Sequence, residues 1–273
     1  MYSEKFSFLF FSTDPVMVRE ATAAGIGNII VDLEHLGKKE RQAGADTEIN
    51  HYTIDDLRRV RAATDATVIC RINRFNPATL SEIGQAIDAG ADELLLPMVR
   101  AADEVEAVIA MVAGRAKVGI LIETIDAVKR VDELARLPLA RVYVGLNDLA
   151  IERGTPNIFT SVIDGTVERI RRAIRVPFGF GGLTLPDCGS PIPCRLLIAE
   201  MARLECRFSF LRRSFARDIR GREMKREVPR MLDAIERAKS RTNDEINQNR
   251  RELEEAVNDW SRRLTKGGSA RHA

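Results

Sequence analysis

Several absences narrow the reading of this 273-residue chain before any motif does. Apolar stretches such as Phe8–Phe11 and Leu94–Met98 fall far short of the ~20 residues that a membrane span requires. No membrane partner is therefore expected. Neither charge sign dominates, with 42 Lys+Arg against 40 Asp+Glu, so the chain lacks the overall basic field of a nucleic-acid binder. Cys70, Cys188, Cys194 and Cys206 show no CxxC spacing, which argues against a cysteine zinc site or a disulfide framework. No GxGxxG follows the first strand and no GxxxxGK[ST] occurs, so the usual backbone cradle for a dinucleotide or nucleoside triphosphate is missing. Glu4 and Lys5 precede a short Phe-rich run with no small-residue cleavage site after it, and a cytoplasmic location is expected.

What is present is alternation. Runs that read as strands at 6–12, 28–33, 67–72, 93–99, 117–122, 141–145, 177–180 and 207–211 are separated by amphipathic helical stretches. Eight such β/α units predict a (β/α)8 TIM barrel over residues 1–240, with an open doubly wound sheet as the alternative. The helical stretches include 53–64 capped by Thr53, 125–136, 161–174 and 193–204, and 219–239 is expected to kink or break at Pro229. Residues 146–160 read as a loop containing Gly154 and Pro156. Beyond the eighth unit, 241–264 forms a surplus amphipathic helix with Ile246, Leu253, Val257, Trp260 and Leu264 on one face. It has two readings, packing on its own barrel or docking on a neighbouring subunit. Residues 265–273 read as a frayed tail.

In a barrel the chemistry sits at the C-terminal ends of the strands. Those ends carry Asp32, Glu34 and His35 after strand two, Arg71 and Asn73 after strand three, and Glu123 after strand five. Asn147 and Asp148 follow strand six, and Arg212, Arg213 and Ser214 follow strand eight. Glu123 and Asp148 lie one β/α unit apart. They read either as two carboxylates for a hard divalent cation or as caps for the helices that follow. Arg71 suits recognition of a carboxylate or an enolate oxygen, or an ion pair with Glu34 or Asp32 on the neighbouring strand, and the two roles are compatible. His35 beside these acids is a candidate for proton transfer. Gly179, Gly181 and Gly182 read either as tight turning at the rim or as a place where a carboxylate or phosphate approaches backbone.

At these residues the chain resembles the HpcH/HpaI aldolase and citrate lyase family. The segments are VDLEH at 31–35, VICRIN at 68–73, GADELLLPMV at 90–99, GILIET at 119–124 and VGLNDLAIERG at 144–154, which together cover roughly the first 155 residues. The resemblance implies a divalent-metal-dependent aldolase or lyase that makes or breaks a C–C bond beside a 2-keto acid of the pyruvate type, with an aldehyde as acceptor. Carried over by residue, it implies Glu123 and Asp148 as ligands of Mg²⁺, with Mn²⁺ or Co²⁺ as alternatives. It further implies Arg71 on the keto-acid oxygen, His35 with Asp32 as the acid/base pair, and substrate contacts at Gly145 and Asn147. Arg213 and Ser214, outside the matching segments, read as contacts to an anionic acceptor group or as partners of nearby acids. A homo-oligomer is expected from the family. Leu146 and Asn147 depart from the Pro-containing form of that segment, which leaves the acceptor open. The rivals are a citryl- or malyl-CoA-type lyase and a non-catalytic barrel serving as an assembly subunit.

Overall fold

A computed structural model of the chain describes residues 5–37, 52–211 and 213–269. Nine parallel strands are described: β1 Ser7–Phe11, β2 Asn28–Asp32, β3 Thr67–Arg71, β4 Glu93–Leu96, β5 Lys117–Ile122, β6 Arg141–Val144, β7 Phe178–Phe180, β8 Gly182–Leu183 and β9 Phe208–Leu211. Their order is β7-β6-β5-β4-β3-β2-β1-β9-β8. The helices among them are α1 Pro15–Ala23, α2 Ile54–Ala63, α3 Thr79–Asp88, α4 Ala102–Val112, α5 Ile125–Lys129, α6 Val131–Leu134, α7 Leu146–Glu152, α8 Thr160–Ile163, α9 Thr166–Ala173, α10 Cys194–Arg203, α11 Arg213–Asp218, α12 Met224–Lys239 and α13 Asn243–Ser269.

The nine strands form eight staves. β7 and β8 flank Gly181, whose φ of +57° lies in the left-handed region that glycine tolerates. The first half pairs with β6 and the second with β9, so one interrupted stave nearly closes the ring. The backbones of β7 and β9 also come close here, because a Cβ on Gly179 would lie 2.3 Å from the Phe208 carbonyl oxygen. The expected barrel is therefore present, with its seventh strand in two pieces.

The two faces of the sheet bury two separate cores, as expected where helices cover a parallel sheet. Leu9, Ile30, Ile69, Leu95, Leu121, Tyr143, Phe208 and Phe210 fill the barrel interior, and the larger cluster lies between strands and helices. The interior is a packed floor, above and below which polar side chains gather.

Four expectations need correction. Residues 146–152, read as loop, form α7 directly after β6. The stretch 125–136 is divided into α5 and α6, and 161–174 is broken at Gly165, where φ is +87°. Pro229 does not end a helix: α12 runs from Met224 to Lys239 through it, while Ile219, given to the same helix, lies outside. Thr53 caps α2 as expected, in a reciprocal capping box with Asp56. α13 lies along its own barrel, with Leu253 and Val257 fully buried. Asn157 Nδ2 donates to the Val257 carbonyl at 2.9 Å, and the Arg250 guanidinium donates to the carbonyls of Val162 and Ile163 at 3.1 and 3.0 Å. Among the described residues no helix is long and apolar enough to cross a membrane. Residues 36–52, which by sequence read as a long, charged loop after the second strand, fall largely outside the described residues, as does Arg212.

Candidate active site

The C-terminal ends of the strands surround a cavity of about 650 Å³. Asp32, Arg71, Glu123, Gly145, Asn147, Asp148 and Arg213 all line it. His35 and Ser214 do not. Its floor is aromatic, with Tyr143 stacked on Phe210 at 3.7 Å between ring centroids and Phe11 edge-on to Phe210 at 5.2 Å.

The parallel register sets Asp32 on β2 directly beside Arg71 on β3. Arg71 accordingly clasps Asp32 with two donors, Nε at 2.8 Å and Nη2 at 2.6 Å from its oxygens. Glu34, two residues on and buried, adds its carboxylate 3.6 Å from Arg71 Nε. Burial works against the guanidinium charge, but Asp32 and Glu34 outweigh it and hold the pKa of Arg71 above its ordinary value. Arg71 also sits over the Phe11 ring, 5.6 Å from its centroid. A charged, fixed donor thus stands at the cavity wall.

Glu123 ends β5 with only 2 % of its surface exposed. Its Oε1 accepts the Met98 N–H at 2.9 Å. Capping of α5 falls to the next residue, Thr124, whose hydroxyl accepts the Ala127 N–H, so a capping role does not explain Glu123. Asp148 lies in the first turn of α7, also buried. Burial raises the Glu123 pKa, Asp148 and Glu34 raise it further, and Arg71 and the Met98 N–H only partly oppose them, so that it reaches about 8. Two carboxylates that repel each other at the end of a cavity constitute a donor set that a hard cation would relieve. The residues present fit such an ion, which needs only one or two carboxylates with water and substrate oxygens. Among the described residues no group of three or more His, Cys, Asp or Glu forms a fuller cage.

Gly145 contributes space. A Cβ there would fall 2.1 Å from Glu123 Oε2, and its own N–H is already bonded to the Ile122 carbonyl at 3.1 Å, so the expected contact of that amide with a substrate carboxylate is not available. His35 is exposed, and its Nδ1 lies 3.0 Å from the Leu33 carbonyl oxygen and 3.4 Å from Asn73 Nδ2. Asn73 anchors this turn, its Oδ1 accepting the His35 and Leu36 N–H groups at 2.8 Å each. Asp32 accepts from Arg71 and from the Glu34 N–H, and the His35 ring lies against the Leu33 carbonyl with Asn73 nearby. Ser214 has a buried hydroxyl without a hydrogen-bond partner.

Sequence alone did not single out Tyr143, Arg217 and Arg220, all of which line the cavity, whereas Glu34, named with Asp32 as a partner for Arg71, does lie against it. Glu34 was legible because it lies two residues beyond Asp32 on the same side of an extended chain. Tyr143 was not, since an aromatic inside a strand has no mark to show whether it faces the interior or the helices.

A model of the family described as HpcH/HpaI aldolase/citrate lyase matches residues 6–175. The chain belongs to that family. The match spans β1 to the end of α9, so it includes Asp32, Arg71, Glu123 and Asp148 but not Arg213 or α13. Among curated protein sequences none matches the chain. Solved structures of similar fold include an HpcH/HpaI aldolase from Desulfitobacterium hafniense DCB-2, 14 % identical, TM-score 0.61, covering 88 % of this chain and 95 % of that one. An HpcH/HpaI aldolase/citrate lyase family protein from Burkholderia cenocepacia J2315 is 16 % identical with TM-score 0.61, over 84 % and 95 % of the two chains. The citrate synthase SbnG is 18 % identical with TM-score 0.57, over 77 % and 86 %. At these identities the likeness extends to the fold. Membership of the HpcH/HpaI family places the chain, in general terms, among carbon–carbon lyases.

Proposed function

We propose that the protein is an aldolase that joins a pyruvate-type 2-keto acid to an aldehyde, or cleaves the product, with a divalent cation held by Glu123 and Asp148. The observation that carries this reading is the pairing of those two buried carboxylates with the doubly anchored Arg71 on one cavity. When bound, Mg²⁺, Mn²⁺ or Co²⁺ would supply Lewis-acid polarisation of the keto acid's oxygens.

The chain's own residues account for the rest. Removal of a methyl proton from the keto acid leaves an electron pair that delocalises onto the keto oxygen, and the Arg71 guanidinium faces that developing charge. Asp32 and Glu34 keep the guanidinium fixed and charged, so little reorganisation is needed when the charge appears. Asn147, on the cavity wall, is assigned to the substrate carboxylate. The nucleophilic carbon then attacks the aldehyde carbonyl, a C–C bond forms, and the resulting alkoxide takes up a proton. His35 is assigned to relay protons between solvent and the site, since its exposed ring can both take up and give a proton.

The direct test needs no knowledge of the aldehyde. Pyruvate methyl protons should exchange with deuterated water in the presence of Mg²⁺, Mn²⁺ or Co²⁺, stop exchanging with chelator, and resume when metal is returned. Exchange that is absent, or indifferent to chelator, would remove the proposal.

A further inference from the structure

The same cavity has a second, oppositely charged wall. Arg213, Arg217 and Arg220 line it, spaced so that α11 and the turn after it present all three on one face. The opposite face of this segment is anchored by Phe215 and Ile219, both buried. Gly181 and Gly182, at the break in the interrupted stave, line the cavity as well. Asp218 meets Arg217 at 2.9 Å but also accepts the Thr184 hydroxyl at 2.6 Å, and Asp14 on the cavity wall caps α1 through the Val16 N–H. The cavity is therefore bipolar, with the Glu123–Asp148 carboxylates on one part and a guanidinium face on another. Its 650 Å³ is within the range of pockets that hold drug-sized ligands and exceeds what a three-carbon keto acid fills.

We propose that the Arg213–Arg217–Arg220 face, beside the side-chain-free Gly181 and Gly182, is a phosphate subsite that holds a phosphorylated acceptor substrate. Forked guanidinium donors match the oxygens of a phosphate, and three of them suit a dianion better than a single carboxylate. The Gly181 N–H is bonded to the Val144 carbonyl, so the glycines contribute room for such a group and the arginines its donors, and the region after the last two staves of a barrel is where phosphates are commonly held. The subsite deepens the aldolase reading and rests on it for the word acceptor, but its binding is measurable without catalysis. A small phosphorylated aldehyde and the phosphates of a coenzyme A thioester share this chemistry.

Calorimetry on the full chain with sn-glycerol 3-phosphate, with glycerol as control, tests the subsite. The phosphate ester should bind and glycerol should not. Arg217→Gln/Arg220→Gln should weaken the ester by about thirtyfold or more, with melting temperature as the check on folding. No binding, or equal binding by the double variant, overturns the subsite. Preference for glyceraldehyde 3-phosphate over glyceraldehyde as acceptor of pyruvate supports the small aldehyde. Coenzyme A that binds more tightly than glycerol 3-phosphate through the same arginines overturns that assignment in favour of a thioester. Failure of pyruvate exchange alongside intact phosphate binding would remove the aldolase and keep the subsite.

Discussion

The two ends of the barrel are built from the same part and differ in how completely it is balanced. At the N-terminal end Arg141 clasps the fully buried Glu93 at 2.6 and 2.8 Å, reaches Asn28 at 3.4 Å and covers the Phe208 ring. At the C-terminal end Arg71 clasps Asp32 in the same two-pronged way and lies over Phe11. A glycine makes room at each end: a Cβ on Gly119 would approach Arg141 and Glu93 within 2.9 Å, and one on Gly145 would strike Glu123. The lower pair matches one acid to one guanidinium. The upper cluster adds Glu34, Glu123 and Asp148 to the same arginine's surroundings, and the excess is registered in the raised pKa of Glu123. Balanced burial closes a barrel; unbalanced burial is retained where a ligand supplies the missing charge.

Substitutions at the two ends should therefore fail in different ways. Glu123→Ala and Asp148→Ala should each lower pyruvate exchange by about a thousandfold or more, roughly 4 kcal/mol of barrier, without lowering the melting temperature, because each removes repulsion. A stable variant that retains full exchange would end the proposed role of these carboxylates. Glu93→Gln should do the reverse, leaving Arg141 buried without its counter-charge and destabilising the fold by about 3 kcal/mol, while the residual folded enzyme keeps its exchange rate. A third difference concerns pH. The folded-state pKa of Glu123, about 8, lies above its ordinary 4.5, so the folded protein holds a proton that the unfolded chain releases. Its contribution favours folding at low pH and is lost as pH rises from about 4.5 through 8. Denaturant titrations without metal should show stability falling across that window, with a shallower fall in Glu123→Gln; an identical slope in both would contradict the assignment. Cation binding near pH 6.5 should release protons, which calorimetry in buffers of different ionisation enthalpy detects.

The upper end was far more legible in the sequence than the lower, and the reason is positional. Acids and bases interrupting apolar strands at their C-terminal ends stand out in a barrel, so Asp32, Arg71, Glu123 and Asp148 could be named without coordinates. Which acid Arg71 would meet could not be chosen, since Asp32 and Glu34 both lay within reach and the register decided between them. The lower pair went unread because Glu93 and Arg141 begin their strands, where polar residues are commonplace. The interrupted stave was hidden in a glycine cluster whose meaning depends on the φ of Gly181. α7 was missed because its N-cap is Gly145, which carries no side-chain signal. The arginine face was obscured by placing the start of the eighth helix at Ile219, which separated Arg213 and Arg217 from Arg220.

The smallest expected effect is at His35, where the upper end meets solvent. A general acid or base in contact with the reacting atoms typically contributes ~10²–10⁴-fold. His35 is exposed and does not line the cavity, so it transfers protons from a distance, and water can substitute for part of that work. His35→Gln should lower exchange by about tenfold and leave the melting temperature and the KM for pyruvate near their original values. Gln keeps a hydrogen-bonding group near Leu33 and Asn73, so a larger loss with a raised KM would mean that the imidazole orders the turn instead of carrying protons. An unchanged rate would take His35 out of the reaction and leave Arg71, Glu123 and Asp148 as its protein machinery, with solvent as the proton source.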